Sequence, residues 1–282
     1  MRWLAVVPLI SGALAAPLAG QTVCTPPDNS NEAKVLANFA VPLAFGPLAA
    51  PAEARPGAVR VTIEGSYLPT LDAATRTPTI CRPGKGPENT DLLFAVPQPR
   101  VAVGLPGGLL LEASWIPPVR VNGVKADVGG VALGRGFPVG HGPMTVGLRV
   151  HATFGVVDAP ITCNQAALGD PTSECYHGTE SDDRYHPTTF GAEGSVGWTL
   201  AGGRVRPYLG AGLNLLRPRF QVDFTNQFGS TDSTRVEVNL TRGVVFGGLM
   251  WEAAHGFGVT GEVYAAPADA VTGRVGLSYT WR

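Results

Sequence analysis

Acidic and imidazole side chains that could carry chemistry are concentrated in one polar stretch, residues 158–187. The candidates are Asp170, Glu174, His177, Glu180, Asp182, Asp183 and His186. Such residues could bind calcium or supply an Asp and His pair for hydrolysis, but their spacing matches neither an EF-hand loop nor an HExxH helix. Ser195 lies in GSVG, which lacks the full GxSxG pattern of a nucleophile elbow. We therefore interpret the stretch as a solvated acidic loop, and the sequence predicts a protein that is not an enzyme, with no catalytic residue, cofactor or metal site.

A second set of charged residues alternates with apolar residues. Between residues 144 and 156 every even position is apolar, while Arg149 and His151 fall on the opposite face. This period of two is typical of a strand with one polar face. The residues predicted to face a polar interior, or lumen, are Arg60, Glu64, Arg100, Glu112, Lys125, Asp127, Arg149, His151, Glu193, Arg206, Glu237, Glu262 and Arg274. Basic and acidic residues are balanced, so they would pair across neighbouring strands, either as a structural core or as the lining of a narrow conduit.

Ten alternating segments between residues 58 and 282 would position these side chains. Short connections such as residues 105–108 and 201–204 join the segments at one end, and three long polar connections join them at the other. This asymmetry is typical of membrane barrels. The sequence predicts an all-β fold, a transmembrane antiparallel up-and-down β-barrel of about ten strands, with eight or twelve as alternatives, after an irregular N-terminal segment. A soluble sandwich would need a polar outer face and protected edges.

The composition agrees with a chain that hides its apolar surface in lipid. Charged residues make up 15% of the chain, below the usual quarter, and there are 37 glycines and 25 prolines. The formal net charge of -1 gives no reason to expect a nucleic-acid partner.

The N-terminal residues divide into two parts. Residues 1–20 have the features of a secretory signal peptide, with Arg2 ahead of a short apolar run that ends in small residues. Residues 21–57 show no clean alternation, although Ser30 could cap a short helix. We predict that this part is either a periplasmic tail or a plug inside the lumen, followed by the barrel at 58–282.

The four cysteines fit an oxidising compartment. Cys163 and Cys175 form the natural local pair, which leaves Cys24 and Cys81. Because Cys81 lies in a long connection and Cys24 in the tail before the first strand, that second disulfide requires the tail to thread the lumen. The roughly 30 residues available could span it at about 3.3 Å per residue.

The last residues, RVGLSYTWR, resemble the C-terminal assembly signal of bacterial outer-membrane barrels, through Gly276, Tyr279 and Trp281. One departure is that Arg282 follows the last aromatic residue. PYLGAGLNL, at 207–215, also resembles small outer-membrane barrels, and RVAVGLPGGLLLEASWIPP, at 100–118, resembles barrels related to long-chain fatty-acid transporters. The resemblance implies the outer membrane of a diderm bacterium, contact with its lipid and handling by the β-barrel assembly machinery.

These observations favour a non-enzymatic outer-membrane β-barrel, either structural or a porin-like narrow passage for transport of a small or apolar solute. The alternative is surface recognition or adhesion through the disulfide-closed loop 158–187.

Overall fold

The computed structural model describes residues 23–253 and 256–281. The predicted signal peptide, residues 1–20, and the final Arg282 lie outside the described residues. Among those described, no helix is long and apolar enough to cross a membrane.

The chain forms a closed, antiparallel, up-and-down barrel of ten strands. The strands are β1 (Val59–Tyr67), β2 (Ala95–Gly104), β3 (Leu109–Ile116), β4 (Val124–Pro138), β5 (Met144–Ala159), β6 (Thr189–Trp198), β7 (Val205–Leu216), β8 (Leu240–Glu252), β9 (Phe257–Ala266) and β10 (Ala270–Trp281). Each strand pairs with the next in sequence, and β10 pairs with β1 from Trp281↔Val59 to Arg274↔Ser66. The predicted fold class and strand number are confirmed.

Alternation along each strand produces an apolar outer surface and a polar interior. Ile63, Leu148 and Leu277 face outward with 63%, 59% and 61% of their surface exposed. Apolar side chains in this number can be stabilised only by lipid, because a soluble protein rarely exposes so large an apolar patch. Tyr279 and Trp281 also lie on the outer face, their ring centroids 4.6 Å apart, at the end of the barrel where aromatic residues mark a membrane interface.

The connections differ between the two ends, as predicted. Turns at one end are short, and the first, residues 105–108, contains Gly107 at φ 76°, a left-handed conformation that favours glycine. The other end carries residues 68–94, 160–188 and 217–239. These long loops contain two short helices, α2 (Ala73–Arg76) and α3 (Gln165–Leu168), and the short strands Asp183–His186, Arg219–Gln221, Phe224–Thr225, Thr231–Asp232 and Arg235–Glu237. A further short strand, Arg120–Val121, lies between β3 and β4, and 3-10 turns occur at Pro106–Gly108 and Ala201–Gly203.

Residues 31–50, which we call the inner segment, lie inside the barrel. The segment begins with helix α1 (Asn31–Leu43), whose first turn is capped because the Ser30 hydroxyl accepts from the Ala33 N–H at 3.1 Å. Pro42 falls in the last turn, after which the chain continues in irregular form to the short-turn end and enters β1. Ahead of the helix, the two-residue strand Val23–Cys24 pairs with Arg235–Glu237 among the long loops.

Three of the predicted lumen residues lie elsewhere. Lys125 and Asp127 point outward, because the single register of β4 places Val124, Ala126 and Val128 inside. Asp127 accepts the Trp115 indole N–H at 2.9 Å on the outer surface.

Glu237 is also outside the lumen. It lies in a short strand of the long loops, where its carboxylate is 3.2 Å from the Arg219 guanidinium. The strand pairing breaks before Leu240, and β8 then runs in one register to Glu252.

Candidate functional site

A closed circuit of buried polar groups surrounds the inner segment at the middle of the barrel. Ion pairs connect Glu262, Arg274, Glu64, Arg100, Glu112, Arg149 and Glu193 in that order, at distances between 2.7 and 3.8 Å. The Tyr264 hydroxyl donates to Glu193 at 3.1 Å. Because Tyr264 and Glu262 lie on the same strand, β9, this bond brings the circuit back to the strand on which it began. We call these eight residues the ring. Seven of them were predicted to face the lumen; Tyr264 was missed, although its parity on β9 matches that of Glu262.

The arginines of the ring bind the backbone of the inner segment. Arg100 donates to the carbonyl oxygens of Pro47 and Gly46 at 2.8 and 2.9 Å. Arg149 donates to the carbonyl oxygen of Phe45 at 2.7 Å. These bonds satisfy carbonyl groups that would otherwise be buried without partners, at a cost of about 1–3 kcal/mol each.

Other contacts fix the same stretch of chain. Arg274 donates to the carbonyl oxygens of Ala44 and Val41 at 2.9 and 3.2 Å. The Leu48 N–H donates to Glu262 at 3.0 Å. The fit is close, because a side chain at Gly46 would collide with the Arg274 guanidinium and one at Gly276 would come within 2.7 Å of Leu48. The ring therefore acts as a collar around the inner segment.

Phe45 lies at the centre of this collar. Its ring centroid is 4.2 Å from the Arg100 guanidinium carbon and 5.0 Å from that of Arg149, in cation–π geometry. Its backbone N–H donates to the Thr153 hydroxyl at 3.0 Å. His151, also a predicted lumen residue, is buried nearby with Nε2 3.4 Å from Glu193. The collar separates the interior into an outer and an inner space.

The outer space is an apolar cavity of about 440 Å³ between the inner segment and the long loops. Helix α1 contributes Leu36 and Phe39 to its wall, and the strands contribute Val96 and Ile116. Ile161 and Tyr185 of the long loop 160–188 cover it. This cavity was not predicted from the sequence, because its walls come from segments that are distant along the chain.

The outer cavity reaches the outer surface of the barrel between β2 and β3. Pairing between these strands ends at Arg100↔Ser114, although β2 remains paired with β1 to Ala95 and β3 remains paired with β4 to Ile116. Beyond that point β2 carries Pro97 and Pro99, which have no N–H to donate. Both prolines are exposed on the outer face, and both line the same cavity as inward-facing Val96. We call this opening the lateral mouth.

The long loops are held together over the cavity by a buried charged cluster, which we call the loop cap. Arg82 of the first loop donates to Glu88 and Glu174 at 2.6 Å each and to Asp232 at 3.2 Å, so it joins three loops. Asp183 is fully buried and accepts from the backbone N–H groups of Thr162 and Asp223. Glu174 and Asp183 of the predicted acidic loop thus have structural partners, and among the described residues no three His, Cys, Asp or Glu side chains converge to hold a metal.

Both disulfides belong to this end of the molecule. Cys24 is bonded to Cys81 and Cys163 to Cys175. The Glu32 carboxylate on α1 also accepts from the backbone N–H groups of Ile80 and Cys81 at 2.7 and 2.9 Å. The inner segment is therefore attached to the first loop by hydrogen bonds, and the chain just ahead of it is attached there by a covalent bond.

The loop cap is expected to loosen as the pH rises through neutrality. Burial raises the pKa of Glu88 from 4.5 to about 7; Arg82 opposes this shift, and Asp183 and Glu174 add to it. The folded loops therefore bind this proton more tightly than unfolded loops, so their stability is greatest below pH 4.5 and is lost as the pH rises toward 7. Hydrogen exchange at the Asn89 N–H, corrected for intrinsic rate, should lose about tenfold in protection between about pH 5 and pH 8.

Glu88→Gln should remove most of this pH dependence, since the amide stays neutral. Glu180→Gln, at an exposed position of the loop 160–188, is the matched control and should leave the pH dependence in place. An unchanged pH profile in Glu88→Gln would assign the effect to another group.

The inner space is a polar cavity of about 380 Å³ at the short-turn end. Arg60 and Arg206, both predicted lumen residues, line it together with Glu252, which was not predicted. Arg206 and Glu252 form an ion pair at 3.1 Å.

Comparison with known proteins finds likeness only among solved structures. No protein-family model and no curated protein matches the chain. Matching structures include a de novo designed transmembrane β-barrel, with 10% identity, coverage of 82% of this chain and 100% of that chain, and a TM-score of 0.28. Ail, the attachment invasion locus protein of Yersinia pestis, has 10% identity over 80% of this chain and 100% of its own, with a TM-score of 0.30. The Pseudomonas putida toluene transporter TodX has 10% identity over 87% of this chain and 71% of its own, also with a TM-score of 0.30.

Proposed function

We propose that this protein, a β-barrel of the outer membrane of a diderm bacterium, binds a small apolar molecule in the outer cavity and exchanges it with the membrane through the lateral mouth. The observation that carries the proposal is a single apolar cavity lined by both faces of β2. Lipid contact follows from the apolar belt, whereas handling by the β-barrel assembly machinery, for which Gly276, Tyr279 and Trp281 are the candidate signal, stays a prediction.

The chemistry of the outer cavity supports an apolar ligand. The surface that lines it is almost entirely apolar, although several polar residues contribute to the wall, and its volume of about 440 Å³ lies within the usual range of small-molecule sites. Burial of apolar surface would supply the binding free energy, at roughly 25 cal/mol per Å² removed from water. Arg82 and Glu88, which also line the cavity, are paired with each other at 2.6 Å, so a charged solute would gain little from them.

The gap in strand pairing supports a lateral route. Strand edges inside a membrane normally stay paired, because unpaired backbone groups are costly in hydrocarbon. Proline at positions 97 and 99 removes two of the donors that would lack partners, which lowers that cost. The lateral mouth can therefore stay open beside lipid, because no backbone hydrogen bonds between β2 and β3 have to break there.

The ring and the inner segment support closure of the axial route. The arginines that could line a conduit are engaged by backbone carbonyl groups, and Phe45 fills the space between two of them. We infer that residues 21–57 act as a plug, rather than as a periplasmic tail. An aqueous pore along the barrel axis is then absent from the resting protein.

Filling the cavity tests the proposal. In lipid nanodiscs, 4-fluorotoluene should give a protein-bound fluorine NMR signal distinct from the lipid-dissolved one. Ala126→Phe places a ring in the cavity and is expected to abolish that signal or weaken binding at least about tenfold, through loss of the buried apolar contact. Ala211→Phe adds the same ring to the lipid-facing surface and should not change binding.

Restoring the missing donors tests the route separately. Pro97→Val with Pro99→Val should slow exchange of the bound probe without removing its site. An unchanged bound signal in Ala126→Phe, in a variant whose barrel still shows heat-modifiable gel mobility, would contradict binding in this cavity.

Surface recognition through loop 158–187 stays a prediction. The buried Cys163 and Cys175 and the contact of Glu174 with Arg82 make this loop part of the cap over the outer cavity. No specific feature of its outer face favours a macromolecular partner.

A further inference from the structure

The inner cavity differs from the outer one in its chemistry. It lies between the ring and the short-turn end, and its inner wall carries guanidinium, carboxylate and hydroxyl groups. The charged residues that line it are Glu53, Arg55, Arg60, Glu112, Arg135, Arg149, Arg206 and Glu252. Ser195 and Thr145 add hydroxyl groups. Nothing in the proposed binding of an apolar molecule requires such a lining.

Arg60 brings a guanidinium group that no neighbour neutralises directly. Within the described chain it makes no hydrogen bond and no ion pair within 4.0 Å. Glu112 and Glu252 attract it only from a greater distance. Its side chain is partly buried on β1 and faces the cavity.

Two further arginines have buried nitrogen atoms without acceptors. Arg149 Nη2 and Arg206 Nε each lack a hydrogen-bond partner in the described residues. The Arg149 side chain is nine-tenths buried, so water reaches it poorly. Arginines on three different strands therefore face one cavity with N–H groups that have no acceptor.

Two of the three carboxylates of the wall are already engaged, and the third, Glu53, is exposed. Glu112 accepts from Arg149 at 2.9 Å and lies 3.5 Å from Arg100 of the ring. Glu252 is paired with Arg206 at 3.1 Å. Arg149 also pairs with Glu193 of the ring, at 3.0 Å. Across the whole lining five arginines face three carboxylates, so the wall carries excess positive charge.

We propose that the inner cavity binds a small oxyanion, of the carboxylate or phosphate class, between Arg60, Arg149 and Arg206. Confined positive charge is costly without a counter-charge, and water satisfies the donors but not the charge. The planar fork of a guanidinium group matches the paired oxygens of such an anion. Ser195 and Thr145 can donate to its remaining oxygens.

This site is independent of the outer cavity. The collar of ring residues around Phe45 lies between them, and the inner cavity is bounded by strand ends on the short-turn side, which faces the periplasm. The oxyanion can be free in the periplasm or can be the headgroup of an amphipathic molecule. The two sources share one recognition chemistry and differ in whether an alkyl chain is attached.

Calorimetric titration of the full-length protein in nanodiscs, in a chloride-free buffer, tests the site. Inorganic phosphate and hexyl phosphate are the two probes. We expect saturable binding to one site with a dissociation constant on the order of 1 mM. Arg60→Gln, and separately Arg206→Gln, should weaken it about tenfold, because each removes a charge-assisted hydrogen bond. Arg204→Gln removes an exposed charge at the same end of the barrel and should leave it unchanged.

The outcomes separate cleanly. Binding of both probes, sensitive to Arg60→Gln, supports a site for free oxyanions, and binding of hexyl phosphate alone supports a headgroup site. Absence of saturable binding of either probe overturns the proposal. So does equal affinity in wild type, Arg60→Gln and Arg206→Gln, with heat-modifiable mobility showing that the variants are folded.

Discussion

Removing the inner segment is expected to turn a silent barrel into a conducting one. The variant lacks residues 25–52 and carries serine in place of Cys24 and Cys81. Its ring would keep the ion pairs from Glu262 to Glu193, but the carbonyl groups of residues 41–47 and the Phe45 ring would be gone. Water would then fill a lumen lined by balanced charge. In planar bilayers we expect steady conductance at least about tenfold above that of the intact protein.

The matched control replaces Cys24 and Cys81 by serine without the deletion. We expect this control to remain silent, since the hydrogen bonds from Arg100, Arg149 and Arg274 hold the inner segment without the disulfide. Conductance in the control would make the covalent bond the main closure. A deletion variant that folds, as judged by heat-modifiable mobility, and still fails to conduct would show that the barrel collapses or fills by itself.

Replacing Arg274 by methionine is expected to be the most destabilising single substitution in the lumen. Its side chain is fully buried between Glu64 and Glu262, and it supplies donors to the inner segment. Methionine has similar length but no charge, so two carboxylates lose a cation and buried carbonyl groups lose their donor. Breaking a buried ion pair by removing one partner costs about 3–5 kcal/mol. Guanidinium unfolding in micelles, followed by gel mobility, measures the loss.

Arg184→Met is the control, because this arginine is exposed and lies in a loop; its effect should stay within about 0.5 kcal/mol. Adding Glu262→Gln to Arg274→Met should recover part of the stability by removing an unpaired charge. A loss below about 1 kcal/mol in Arg274→Met would mean that water enters the lumen and replaces the missing donors.

Alternation of apolar and polar residues was sufficient to predict the barrel. Each strand must have one lipid-facing side, and the sequence shows this pattern in all ten strands. A wrong assignment of the faces of one strand therefore does not change the predicted fold. Errors arose where the constraint is weak. Lys125 and Asp127 lie near the loop end of β4, where polar residues can face outward toward headgroups and water. Val131 and Leu133, deeper in the membrane, are apolar residues at odd-numbered positions. They correctly indicate that the odd-numbered positions of β4 face lipid.

The arrangement inside the barrel was harder to predict for a different reason. Arg100, Arg149 and Arg274 were recognised as lumen residues, and carboxylates were the only partners visible in the sequence. Their other partners are backbone carbonyl groups, which every residue has and no sequence pattern marks. Only the disposition of the cysteines suggested that chain passes through the lumen. The two cavities depend on the placement of that chain, so neither could be predicted.

The inner segment is tied at both ends, by the peptide chain into β1 and by the disulfide between Cys24 and Cys81. Its release from the ring is therefore an intramolecular event, and its return is governed by an effective concentration set by these tethers, which for short linkers is in the millimolar range. Weakening a single contact of the ring leaves that concentration unchanged. In the oxidised protein, the inner segment therefore stays close to the ring when it dissociates. It rebinds at a rate that does not depend on the protein concentration, and the lumen closes again.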